Sequence, residues 1–247
     1  MGKKMKLAVI GKPIGHSKSP EIHQHFANQF DAKIEFRKDE VTPETLETWL
    51  ADFFSDDGKG VSITLPLKEA ALDYADEISD RARLASACNV IYAKDEKLFA
   101  DCTDGFGLIK DLEENLKVSL KDKKILILGA GGAARGIIPS IVEKDPASLK
   151  IANRSESKAL LLKEDLEGKV DLKGNNSILE AGGLTDDFLL TDSYDLVINS
   201  TSISTQTGES LGLPKALFTG TKLAYDLFYS AKKTAFMPVS YTHLRAH

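Results

Sequence analysis

The chain has 247 residues, enough for one large domain or two small ones, with 42% hydrophobic and 28% charged residues and a net charge of −5. The acidic balance argues against a general binder of nucleic-acid backbones, and no apolar run approaches the ~20 residues that span a bilayer. The basic start, Met1-Gly-Lys-Lys-Met-Lys6, precedes an apolar run too short for a signal sequence, and the two cysteines, Cys88 and Cys102, read as small buried hydrophobes of an intracellular, cytoplasmic protein.

Two strand–helix series follow one another. The first opens with a strand at 7–10 and a helix over 20–30, then a strand at 34–41 and a helix over 43–54 with Thr42 as N-cap and Pro43 in the first helical position. A strand at 60–65 follows, Pro66 starts a further helix, and two short strands at 89–93 and 97–101 close this half. The second series begins with a helix from Asp104 to about Lys117, then an apolar strand at 124–128, a helix over 132–144 in which Pro139 predicts a kink, a strand at 149–152, a helix over 157–166, and strands at 194–199 and 223–228. Alternation of this kind predicts an α/β protein with mostly parallel sheets covered on both faces and a boundary near residues 101–104.

Between the strand Lys124-Ile-Leu-Ile-Leu128 and its helix lies Gly129-Ala-Gly-Gly-Ala-Ala-Arg135, the context of a dinucleotide-binding turn. Gly129 allows the tight turn, Gly131 lets backbone approach a pyrophosphate, and Ala134 lets the helix pack on the strand. The helix start then offers free N–H groups and a positive dipole end to phosphates. An NAD-binding sheet carries an acidic residue at the tip of its second strand; here that tip reads Ile151-Ala-Asn-Arg-Ser-Glu-Ser-Lys158, with Arg154 and Lys158 in its place. Two cations and two hydroxyls suit a 2′-phosphate and favour NADP, although Glu156 lies close by.

The first half concentrates small polar residues at strand ends. Ser19 before Pro20 reads as an N-cap, or together with Ser17 as a seat for a substrate carboxylate. Lys68 in the first turn of a helix begun by Pro66 would oppose the macrodipole, which favours the neutral form a general base needs. Asp104 before Gly105 reads as an N-cap or as a partner for Lys68. Asn89 and Thr64 are unremarkable taken singly.

Together these segments resemble the shikimate dehydrogenase family over residues 5–236. The resemblance rests on Gly15-His-Ser-Lys-Ser-Pro20, Ser62-Ile-Thr-Leu-Pro-Leu-Lys68, Ala87-Cys-Asn89, Asp101-Cys-Thr-Asp-Gly-Phe-Gly107, Gly129-Ala-Gly-Gly-Ala133, Asn153-Arg-Ser155, Ile198-Asn-Ser-Thr-Ser202 and Tyr225-Asp-Leu-Phe-Tyr229. It implies two α/β domains, a substrate-binding one over 1–102 and a Rossmann-type, doubly wound NADP-binding one over 103–236. The implied reaction is reversible reduction of 3-dehydroshikimate to shikimate with NADPH, on the route to chorismate and the aromatic amino acids, by a monomer or homodimer that uses no metal. On this sequence the resemblance implies that Ser17 and Ser19 bind the substrate carboxylate, that Thr64, Asn89 and Asp104 hold ring hydroxyls, and that Tyr229 closes over the ring. Lys68 would be the acid/base residue paired with Asp104. Asp80 would lie near the cofactor, Gly129, Ala130, Gly131, Gly132 and Ala133 around the pyrophosphate, Asn153, Arg154, Ser155 and Lys158 around the 2′-phosphate, and Leu227 near the nicotinamide.

Three stretches depart from the family pattern. Ser86-Ala-Cys-Asn89-Val90 replaces a Gly-Ala-Val-Asn-Thr run, and Ile203-Ser-Thr-Gln-Thr-Gly208 lacks an early glycine. Residues 237–247, Met237-Pro-Val-Ser-Tyr-Thr-His-Leu-Arg-Ala-His247, show no family pattern and read as a truncation with a foreign junction, which predicts lower stability and activity than the family's. His243 and His247 stand at i,i+4 but lack a third ligand. Competing readings are a quinate/shikimate dehydrogenase that uses NAD, and an impaired NADP-binding or regulatory protein.

Overall fold

The computed structural model describes residues 4–169, 178–201, 212–229, 234 and 236. The chain divides into two compact units, Met1–Asp104 and Gly105–His247.

The first unit carries β1 (Met5–Gly11), α1 (Ser19–Gln29), β2 (Ile34–Glu40), α2 (Leu46–Ser55), β3 (Gly58–Ile63), β4 (Glu77–Ile78), α3 (Asp80–Ala85), β5 (Val90–Lys94) and β6 (Lys97–Asp101). Its sheet runs β2-β1-β3-β5-β6-β4. β1 pairs parallel with β2 and β3, and β4 with β6, while β3–β5 and β5–β6 are antiparallel, so this sheet is mixed but, as expected, parallel in most of its pairings. The two-residue turn Asp95-Glu96 makes β5 and β6 a hairpin, which no crossover helix can separate. Ala8 and Ile10 of β1, Val61 and Ile63 of β3, and Leu46, Leu50 and Phe53 of α2 form the core with Ala82, Ala85, Cys88 and Cys102.

Two expected helices differ. The one over 43–54 begins as a 3-10 turn, Pro43–Thr45, before α2, with the Thr42 amide donating to Thr45 Oγ1 at 3.1 Å. No helix begins at Pro66. The Leu67 amide closes a turn on the Thr64 carbonyl, and only Ala70–Tyr74 winds, as a 3-10 helix. An α-helix would need the Lys68 carbonyl for the Leu72 amide; that carbonyl instead accepts from Cys88 at 2.8 Å, and Leu72 bonds Glu69.

The second unit carries most of α4 (Asp104–Lys110), then β7 (Lys124–Leu128), α5 (Gly132–Val142), β8 (Ser148–Asn153), α6 (Glu156–Glu167), β9 (Ile178–Gly183), α7 (Asp186–Leu189), β10 (Leu196–Asn199) and β11 (Leu223–Asp226). α4 stops short of Lys117 because a π-helical turn, Asp111–Asn115, succeeds it. The sheet is wholly parallel, in the order β11-β10-β7-β8-β9. The order reverses at β7, so the exits of β7 and β10 form the crevice in which such sheets bind ligands. Alternation along β7 sends Ile125 and Ile127 to a core with Ile137, Ile141, Leu162 and Leu166, and Leu126 and Leu128 to another with Leu189, Leu217 and Phe218. α5 runs through the buried Pro139 and ends two residues before the expected Lys144.

Candidate active site

In the first unit the exits of β1, β3 and β6 gather the polar residues. β1 ends in Gly11, where a Cβ would lie 2.5 Å from Thr64 Cγ2 and 2.6 Å from the Leu65 carbonyl. Only glycine lets the two loops run this close, and the Lys12 amide then donates to the Leu65 carbonyl at 2.8 Å. The Thr64 amide donates to Ile10, which sets Thr64 at the mouth of β3. Ser17 is buried and its Oγ accepts from the Ser19 amide at 3.3 Å, with the two hydroxyls 3.2 Å apart. Ser19 is thus not the N-cap: Lys18 occupies that position, and Ser19 and Pro20 are the first residues of α1. The two hydroxyls thus stand together at the start of α1.

Lys68 Nζ bonds Asp104 Oδ2, with side-chain exposures of 15% and 24%. The Asn89 amide donates to Asp104 Oδ1 at 2.9 Å, so lysine and asparagine share one carboxylate. Asn89 is itself held: its Nδ2 donates to Thr103 Oγ1 at 2.9 Å, and its Oδ1 accepts from the Thr103 amide at 3.0 Å. Asp104 heads α4 and serves as partner to Lys68, the second of its two expected roles. The macrodipole argument for Lys68 falls, because no helix starts at Pro66. What fixes Lys68 is the Cys88–Lys68 backbone bond, which ties its turn to the entry of β5. Thr103, which sequence reasoning passed over within the quoted Asp101–Gly107 motif, completes the arrangement.

Beneath this cluster Cys88 and Cys102 are buried, and burial pushes their thiols up to about 12 and about 11. They are apolar floor, as expected, and not nucleophiles. Burial pushes the Asp101 carboxyl up as well, but Arg81, the Ser79 hydroxyl at 2.6 Å and the Cys102 amide at 2.8 Å outweigh it and hold the group below its ordinary value. Asp80 is exposed beside Ser79 at the start of α3, where it faces the positive end of that short helix.

In the second unit Gly129 has φ +111°, and a Cβ there would sit 2.6 Å from Ser200 Oγ. The turn therefore excludes side chains on both grounds. Around Gly131, between the buried Ala130 and Gly132 at the start of α5, a Cβ would meet nothing within 4 Å, so the turn opens on free space there, with Ala134 fully buried. At the tip of β8, Asn153 Nδ2 donates to the Ser155 carbonyl at 3.0 Å, and the Ser155 and Ser157 hydroxyls lie 3.0 Å apart. Arg154 and Lys158 are exposed, and no carboxylate ends the strand; Glu156 is the first residue of α6. A phosphate-bearing ligand fits these donors. Leu227 follows β11, its amide bonded to the Asn199 carbonyl at 3.0 Å, and Tyr229 is 53% exposed and stacked on Phe228. The 203–208 and 237–247 segments, with His243 and His247, lie outside the described residues.

A lysine fixed against a carboxylate in one unit and a glycine cradle with cations at the neighbouring strand tip in the other are the parts of a nicotinamide-dependent alcohol–ketone enzyme. Comparison with known proteins agrees. Residues 9–91 match the family model for the shikimate dehydrogenase substrate binding domain, and residues 111–208 that for shikimate / quinate 5-dehydrogenase. The chain is 41% identical over 232 residues to the shikimate dehydrogenase (NADP(+)) of Dechloromonas aromatica, covering 94% of this chain and 81% of that protein. Among solved structures, an Ael1 enzyme from Pseudomonas putida superposes with a TM-score of 0.83 at 36% identity, covering 99% of this chain and 86% of the other. A shikimate 5-dehydrogenase from Thermus thermophilus in complex with NADP(H) and shikimate does so with a TM-score of 0.81 at 27% identity, covering 98% and 86%. Matched in both halves by the family's own models and along nearly its whole length by a curated relative, the chain belongs to the shikimate dehydrogenase family.

Proposed function

We propose that this protein catalyses the reversible NADPH-dependent reduction of 3-dehydroshikimate to shikimate, on the route to chorismate and the aromatic amino acids. The observation that carries the reading is the shared carboxylate of Asp104, which holds both the Lys68 ammonium and the Asn89 amide. Residues 1–102 bind substrate in this account and residues 103–236 bind cofactor. Ser17 and Ser19 receive the substrate carboxylate, and Thr64, Asn89 and Asp104 hold the ring hydroxyls, with Tyr229 over the ring. Lys68 gives its proton to the oxygen of the ketone as it becomes an alcohol, and takes it back in the reverse direction. Asp104 keeps the ammonium aimed. Such a positioned acid/base is typically worth ~10²–10⁴ in rate.

NADPH, when bound, supplies the hydride to the ketone carbon. The backbone donors from Gly129 to Ala133 hold its pyrophosphate, and Asn153, Arg154, Ser155 and Lys158 hold its 2′-phosphate, with Leu227 beside the nicotinamide and Asp80 near the cofactor. Arg154 at a strand tip without a carboxylate supports NADP over NAD. We place the enzyme in the cytoplasm, as a monomer or homodimer; none of the described helices is long and apolar enough to cross a membrane.

Initial rates with shikimate or quinate, each with NADP+ or NAD+, test the reading. Turnover highest with shikimate and NADP+ is expected. Preference for quinate with NAD+ would replace it by the broader dehydrogenase, and NADP+ binding without turnover on any pair would make the protein a binder.

A further inference from the structure

We infer that Asp226, acting with Asn199, is a positioning residue that sets the 227–229 segment against the dinucleotide turn. The inference rests on the functional reading above, which uses Leu227 and Tyr229 but assigns nothing to these two residues.

Asn199 and Asp226 are register partners at the ends of the parallel strands β10 and β11. Asn199 is fully buried. Its Oδ1 accepts from the Thr201 amide at 3.1 Å and the Thr201 hydroxyl at 2.7 Å, which fixes the amide orientation and leaves Nδ2 as the donor toward Asp226. That donor meets Asp226 Oδ1 at 3.0 Å. The same oxygen accepts from the Phe228 amide at 3.1 Å, and Oδ2 accepts from Thr234 Oγ1 at 2.5 Å. At least three donors from the described residues converge on one group, and a carboxylate, which only accepts, serves them.

The consequence lies on both sides of the pair. Beyond β11, the Leu227 amide bonds the Asn199 carbonyl and the Phe228 amide bonds Asp226, so two successive peptides after the strand are pinned in direction. Tyr229 follows, stacked on Phe228. Beyond β10, the Ser200 amide and hydroxyl both donate to the Leu128 carbonyl, at 2.8 and 2.7 Å, next to Gly129, which has no room for a side chain because Ser200 stands there. A continuous set of hydrogen bonds thus joins the exits of β7, β10 and β11, and through its side chain Asp226 reaches the segment proposed to face the nicotinamide and the ring. A tilt of about 1 Å there is enough to cost ~10²-fold in rate when reacting atoms must meet.

The test uses the full chain with Asp226→Ala and Asp226→Asn. Turnover with shikimate and NADP+ is measured beside binding of adenosine 2′,5′-bisphosphate, which carries the adenosine phosphates of NADP but no nicotinamide, and beside amide hydrogen exchange. Asp226→Ala is expected to lower kcat/KM for shikimate ~10²-fold and to speed exchange over 223–229, with bisphosphate binding and protection over 124–142 unchanged. Asp226→Asn keeps the shape and one acceptor, serves as the readout if the alanine variant does not fold, and is expected to show the same pattern at about tenfold, the scale of one weakened charge-assisted bond. Wild-type turnover in both variants overturns the inference. So does loss of bisphosphate binding and of 124–142 protection in step with turnover, which would make Asp226 a folding residue. A wild-type protein inactive toward shikimate refutes the functional reading instead, and the exchange comparison then decides Asp226 by itself.

Discussion

Replacing Lys68 by alanine removes the proposed proton donor while leaving most of what surrounds it. Asp104 loses the ammonium but keeps the Asn89 amide at 2.9 Å, and Asn89 keeps Thr103. Because the Lys68 and Asp104 side chains retain 15% and 24% exposure, the carboxylate left behind stays in reach of water, and folding stability should fall by no more than about 1 kcal/mol. Loss of a positioned acid/base should lower kcat by ~10²–10⁴, a barrier increase of about 3–5.5 kcal/mol at 1.36 kcal/mol per decade. In the ground state the substrate forfeits one hydrogen bond, about 0.5–1.5 kcal/mol, so KM for shikimate should rise by less than about tenfold. Initial rates followed by NADPH absorbance, with a thermal melt of both proteins, measure all three quantities. A KM raised a hundredfold or more with kcat retained would make Lys68 a binding residue and refute the proton-transfer argument.

Arg154→Ala should weaken NADP+ by about 10–10²-fold, the worth of charged hydrogen bonds to a phosphate, and leave NAD+ unchanged; equal losses for both, read from KM values, would take Arg154 off the 2′-phosphate. Cys88 and Cys102, with thiols held at about 12 and about 11 by burial, should resist a disulfide reagent at pH 8 in the folded protein and both react in urea; stoichiometric labelling of the native chain would contradict their burial. Asp101 is held below its unfolded value, so its contribution to stability is present above ~4 and is lost as pH falls through the folded value. Thermal melts of wild type and Asp101→Asn should therefore differ at pH 7 and draw together as the pH falls into the acid range, and a gap that widens in acid would reverse the assigned sign.

The second sheet was the more legible half. Its inner strands β7, β8 and β10 are buried on both faces; β7 and β10 read as apolar runs, β8 as one broken by Lys150, and the glycine turn follows β7 at once. β9, Ile-Leu-Glu-Ala-Gly-Gly, escaped notice because an edge strand with two glycines and an alanine has little β-propensity; its pairing with β8 holds it. β4 and α3 were missed as too short to carry a period. The helix expected at Pro66 failed for a non-local reason: proline followed by good helix formers is a sound local signal, but Cys88, twenty residues on, takes the Lys68 carbonyl. In the site, Lys68, Asn89 and Asp104 each read as structural when taken singly, since the bonds joining them span 36 and 15 residues. The family resemblance named them, and the geometry explains how β3, β5 and β6 deliver them to one carboxylate. Thr103 and the Asn199–Asp226 pair carry no local signature, because their meaning lies in which donors converge on them.

The most direct test of the central claim is a single reduction time course: 3-dehydroshikimate and NADPH with the wild-type chain, following both NADPH loss and shikimate formed. The account predicts that one shikimate appears for each NADPH consumed, and that Lys68→Ala binds NADPH as the wild type does while forming shikimate at least ~10²-fold more slowly. NADPH binding without shikimate formation by the wild type, or equal rates for the two proteins, would contradict it.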